Sequence, residues 1–196
     1  MGLEGYSGRA VLADHDIKKI LGTELMVDPL DLRMIRPNSI RLRLSSTYSS
    51  MVERRNPIDT RSSDTSPWFE NVDTHGRPFT LPPRTFVLAA SLEKISVSRR
   101  LKGLLNTGSS LARIGISCNG TSGLVPSRYG EGGGSHLTFE LYSVTRSPIA
   151  LHSGMPICHL TLLWNASPAE TGYSHGGGIY QGAGLETANL RDHPST

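Results

Sequence analysis

Two hydroxyls and a guanidinium lie close together in the run Gly108-Ser109-Ser110-Leu111-Ala112-Arg113. Ser109 and Arg113 are four residues apart, so a helical turn would set them on one side. Side chains of these types can grip phosphate or carboxylate oxygens. The plainer alternative for Ser109 is a helix N-cap. A second candidate is Glu140, in the alternating run His136-Leu137-Thr138-Phe139-Glu140-Leu141. A strand here would turn Phe139 and Leu141 to one face and Glu140 to the other. On the residues alone, a carboxylate so held reads as an exposed or salt-bridged strand residue. The seven histidines are scattered and the two cysteines, Cys118 and Cys158, lack chelate spacing. No metal site is expected.

These residues need a scaffold of strands. The chain has 196 residues, enough for one domain with its own core. Its 21 glycines and 12 prolines favour short strands and turns over long helices. A short helix is expected over 11–21, with Asp14 or Asp16 at its start and Gly22 as its stop. Alternation predicts strands over 39–44, 85–92, 95–97, 137–142, 149–151 and 157–164. Residues 109–114 read as a single helical turn. Residues 45–80, rich in Ser, Thr, Asp, Arg and Pro, read as a long loop with one strand near Trp68 and Phe69. Several short strands with turns between them suggest a sandwich, jelly roll or barrel.

The net charge of +3 suits a protein that meets anions. Arg99, Arg100 and Lys102 form a small basic cluster without interleaved aromatics, so nucleic acid is not an expected partner. No apolar run has the length of a membrane span, and no basic start leads into an apolar segment. Two cysteines make no disulfide framework. The cytoplasm is the expected compartment. Residues 1–9 read as a loose tail and 172–196 as a glycine-rich, flexible flap within one domain spanning 1–196.

Ser109-Ser110-Leu111-Ala112-Arg113-Ile114-Gly115-Ile116 resembles the SSLAR-type motif of the dCTP deaminases, in the dCTP deaminase and dUTPase superfamily. The resemblance continues in order. Residues 13–21, Asp28-Pro29 and 37–44 are similar to that family's N-terminal helix and its "P-S-S-I-D-L-R-L" strand. Residues 86–93 are similar to the strand before the motif. Residues 136–141 look like the strand of the catalytic glutamate, and 148–157 like "P-I-x-L-x-P-G-M-x-I".

The resemblance implies a mainly β fold, a distorted jelly roll (the dUTPase-like β-clip) with a short N-terminal helix, assembled as a homotrimer with sites between subunits. It implies zinc-independent hydrolytic deamination at C4 of a cytosine nucleotide. Glu140 would move the protons, and Ser109 and Arg113 would position the water and stabilise developing charge. Ser110, Thr121, Ser122, Tyr173, Tyr180 and Gln181 would meet the substrate. No tightly bound cofactor is implied, and magnesium only with a polyphosphate.

Three departures qualify that pattern. Gly108 stands where the family carries Arg or Lys, and Ile179 where its flap carries Lys. Pro126 stands where the superfamily has an Asp, the water-activating base of the dUTPases, so dUTPase-type hydrolysis loses its carboxylate. Glu131, on a glycine-rich loop, is the one nearby replacement. Arg128, Arg146 or His175 could replace the missing cations. The expected enzyme therefore has an altered substrate, either modified or less phosphorylated. The alternative is a catalytically inactive nucleotide-binding module of the same fold.

Overall fold

A computed structural model of the chain describes residues 11–59, 65–118, 122–172 and 185. The expected tail over 1–9 and nearly all of the glycine-rich flap lie outside these residues.

The chain opens with helix α1 (Asp14–Ile20), shorter than the expected 11–21. Ala13 is its N-cap, so neither aspartate takes that place; Asp16 instead accepts the Ala13 N–H at 3.3 Å. Acidic residues at the start and Lys18 and Lys19 at the end suit the helix dipole. Ile17 and Ile20 bury its inner face. Twelve strands follow among the described residues: β1 (Leu25–Asp28), β2 (Ile35–Arg36), β3 (Ser39–Met51), β4 (Phe69–Asp73), β5 (Phe79–Leu81), β6 (Phe86–Val97), β7 (Leu101–Thr107), β8 (Ile116–Cys118), β9 (Leu124–Val125), β10 (Ser135–Ser143), β11 (Ile149–Leu151) and β12 (Pro156–Trp164). Helix α2 (Ser109–Arg113) interrupts them after β7.

The main sheet runs β8-β10-β6-β3-β12-β7-β9; β1 joins β6, while β2 and β4 join β3. Strands β5 and β11 form a separate pair. Strand β3 is the hinge of the architecture. Its first residues pair with β12, from Ile40↔Leu160 to Arg43↔Pro156. Its later residues pair with β6 and with β4. A register irregularity between Leu44 and Tyr48 marks the turnover, and irregularities of this kind increase local twist. The sheet curls into two layers around Leu42, Leu44, Leu101, Phe139, Leu141, Leu160 and Leu162, all buried.

Three expectations change. The predicted loop over 45–80 holds, besides β4 where one strand near Phe69 was expected, the second half of β3, most of β5 and a 3-10 turn at Ser66–Trp68. Residues 85–92 and 95–97 are one strand, β6. Strand β7 was not expected. Gly103 sits in its middle because a Cβ there would meet Leu160 Cδ1 at 2.5 Å and Val125 Cβ at 3.1 Å. Among the described residues, no helix is long and apolar enough to cross a membrane.

Candidate active site

Glu140 lies on β10 between Phe139 and Leu141, both fully buried on the inner face. Alternation turns Glu140 the other way and leaves it half-buried. Its strand partner is Leu88 of β6. The backbone N–H of Ser122 donates to Glu140 Oε2 at 3.2 Å. So Ser122 reaches the carboxylate through its main chain, a contact that side-chain types do not reveal. The Cys118 thiol, at the end of the neighbouring strand β8, also feels the Glu140 charge.

The hydroxyls and guanidinium of the 109–113 turn are arranged differently. Helix α2 packs Leu111 against the core and leaves Ser109, Ser110 and Arg113 exposed. Thr107 closes this excursion. Its Oγ1 accepts from the Cys118 N–H at 2.8 Å and donates to the Cys118 carbonyl at 3.1 Å, tying the end of β7 to β8. Gly108 is the N-cap of α2, and no side chain caps the helix, so Ser109 is its first residue and not its cap. Among the described residues, Arg113 has no ion pair, so it does not meet Glu140 within one chain. Thr121, Tyr173, Tyr180 and Gln181 lie outside the described residues.

The other candidates sort by their partners. Arg128 and Glu131 occupy each other, with Nε–Oε2 at 2.8 Å and NH2–Oε1 at 2.9 Å. This pairing leaves Arg128 a poor substitute for a missing phosphate ligand. Arg146 is exposed in the turn after β10, and His175 lies outside the described residues. Cys118 and Cys158 are buried; the hydrogen bond to Cys158 and then burial push the Cys118 thiol pKa far up, so it stays protonated. No group of His, Cys, Asp and Glu that could hold a metal ion occurs among the described residues. A cavity of about 300 Å³ between Arg54, Arg55, Asn56, Pro67 and Trp68 involves none of these groups.

A further set of polar residues escaped the sequence reading. On the face of β3 that carries Ser39 and Arg41, His159 of β12 lies opposite Arg41, and Asn106 of β7 lies opposite His159. Ser39 Oγ and His159 Nδ1 are 2.9 Å apart. Arg36 of β2 is the strand partner of Ser39. Burial first, then the charges of Arg41 and Arg36, hold the His159 pKa below its ordinary value. The one available signal was Arg41, where the family strand quoted above has Asp.

The chain is similar to known proteins over most of its length. A family model described as dCTP deaminase-like matches residues 11–163. A protein of Corynebacterium efficiens named "dCTP deaminase, dUMP-forming" is 37% identical over 183 residues, covering 88% of this chain and 89% of that one. A protein of the same name from Dictyoglomus thermophilum is 36% identical over 169 residues, covering 83% of this chain and 84% of its own length. The solved 2'-deoxycytidine 5'-triphosphate deaminase from Agrobacterium tumefaciens shares the fold, with a TM-score of 0.62 at 21% identity. That match covers 80% of this chain and 48% of the other.

Proposed function

The chain belongs to the dCTP deaminase-like family, and from that premise we propose that it hydrolytically deaminates a cytosine deoxynucleotide at C4 without zinc. The observation that carries the reading is Glu140, half-buried on β10 with its carboxylate held by the Ser122 N–H. In this mechanism Glu140 takes a proton from water as the oxygen attacks C4. That proton passes to the ring nitrogen N3, and the second, from the new C4 hydroxyl, passes to the amino group, which leaves as ammonia as the C4 carbonyl forms. Ser109 and Arg113 orient the water and stabilise the charge that develops.

Because Ser109, Ser110 and Arg113 face outward from α2, we assign them to the Glu140 of a neighbouring copy. The working unit is then a homotrimer with sites between subunits. Tyr173, Tyr180 and Gln181 complete the substrate contacts in this scheme, and magnesium enters only as the counter-ion of a polyphosphate.

The relatives' names specify dUMP as product. Forming dUMP from dCTP removes pyrophosphate as well as the amine. Pro126 occupies the place of the acid that would activate the second water. The proposed product is therefore the deaminated nucleotide with its phosphates intact.

The test is to incubate the protein with dCTP, dCMP, deoxycytidine and a base-modified dCTP, measuring ammonia and identifying the nucleotide by chromatography. Ammonia release with intact phosphates is expected, and Glu140→Gln should lower it by roughly 10²–10⁴-fold. Activity that survives this substitution refutes the assignment of Glu140. Gly108 and Pro126 favour a second reading, a nucleotide-binding module without turnover. Tight dCTP binding with no ammonia from any substrate would select it.

A further inference from the structure

We propose that Arg36, Arg41 and His159 form the site for the phosphate chain of a nucleotide, taking over from the cation that position 108 lacks. The proposal rests on the deaminase reading for its substrate and names the side chains that meet that substrate's anionic end.

Three strands build the site. Arg41 on β3 lies opposite His159 on β12, and Arg36 on β2 lies opposite Ser39, whose hydroxyl engages His159 Nδ1 at 2.9 Å. This bond leaves Nε2 as the ring nitrogen without a partner among the described residues. Both guanidiniums act on the imidazole and, with burial, disfavour its charged form. The set thus concentrates positive charge with no carboxylate paired to it among the described residues.

Three other arginines of the molecule are each neutralised by a carboxylate. Arg43 is held by Glu93 at 2.6 Å, Arg33 by Asp31 at 2.9 Å and Arg128 by Glu131 at 2.8 Å. Arg36 and Arg41 have no such partner among the described residues, and Arg36 Nε is buried without an acceptor. A buried N–H left unmet costs free energy, and a multi-oxygen anion would satisfy it. Guanidinium forks match phosphate oxygens in pairs. A chain of phosphates offers enough oxygens to span two such forks, where a single carboxylate offers two.

Gly108 ties this cluster to the α2 turn. A Cβ there would lie 4.0 Å from His159 Cδ2 and Nε2 and 3.6 Å from the Ile157 carbonyl oxygen, which is ordinary contact. A β-carbon at position 108 would therefore pack against the imidazole without a clash, next to Ser109. With φ of −60° at position 108, the backbone conformation is one that any L residue adopts.

Calorimetric titration of the full chain with dCTP, inorganic pyrophosphate and deoxycytidine tests the site. Arg36→Gln and Arg41→Gln should each weaken dCTP and pyrophosphate binding by about 10- to 100-fold and leave deoxycytidine unchanged. Arg41→Lys should lose less than Arg41→Gln. Adding Gly108→Arg to Arg41→Gln should restore part of the loss. Wild-type affinity for dCTP in both glutamine variants overturns the proposal, as does an equal loss of deoxycytidine. Loss confined to free pyrophosphate also overturns it, because the site would then serve an inorganic anion and not a nucleotide. Ammonia release is read in parallel. A protein that binds dCTP through these arginines but releases no ammonia refutes the deaminase reading alone. Ammonia release at limiting dCTP that is unchanged in the variants refutes the phosphate site alone.

Discussion

At the scale of single residues, buried polar groups carry sharp consequences. Tyr48 is buried and stacks on Phe79 with ring centroids 4.1 Å apart, yet its hydroxyl has no hydrogen-bond partner among the described residues. Burial pushes its pKa up to about 12. Leaving a hydroxyl unmet costs roughly 1–3 kcal/mol, so Tyr48→Phe should raise stability to denaturant by about 1 kcal/mol, whereas a lower unfolding midpoint would contradict this account. Glu93 is the opposite case: it is buried, and it binds both the Nε and the backbone N–H of Arg43. Glu93→Ala would strand that guanidinium and should cost roughly 3–5 kcal/mol, read from the shift in a urea unfolding curve. His159 gives a pH signature. Its folded pKa lies below the ordinary 6.5, so as pH falls through that value the unfolded chain gains a proton before the folded one does. Stability is then full above about pH 6.5 and declines below it; His159→Gln should flatten the decline in unfolding curves taken between neutral and mildly acid pH.

Elements were legible where side-chain alternation was strong and obscure where pairing did the work. Alternation alone oriented Glu140 correctly between Phe139 and Leu141, and it located β11 and β12. The run Ser45 to Ser50 looked like loop because it is nearly all hydroxyls. It is strand because β4 and β6 pair with it on both sides, which outweighs local preference. Strand β7 was hidden by Gly103, whose reason is the close approach of Leu160 and Val125. The Ser109–Arg113 motif was readable as chemistry, but its outward aim was not. The Arg41–His159 pairing joins residues far apart in sequence, which no spacing rule reports. The loop after β9 makes a demand of its own. Gly130 has φ of +68°, and a Cβ there would run into the Ile95 carbonyl oxygen. Gly130→Ala should therefore destabilise by at least about 1–3 kcal/mol, visible as a lower melting temperature.

For the whole molecule, the decisive measurement is assembly. An exposed Ser109, Ser110 and Arg113 and a Glu140 that no ion pair joins to Arg113 fit a site that needs a second copy. Light scattering should give the mass of three chains of 21.2 kDa. Mixing inactive Glu140→Gln with inactive Arg113→Gln chains should then restore part of the activity, because some interfaces would carry both intact groups. A monomer with full deaminase activity would exclude the shared site.

Strand β3 belongs to both layers, since its opening residues bond to β12 and its closing residues to β6 and β4. Neither layer can melt while keeping that strand, so the two should open as one cooperative unit. Amide protons of Ile40 and Tyr48 should accordingly exchange with solvent deuterium at a common free energy, close to that of global unfolding.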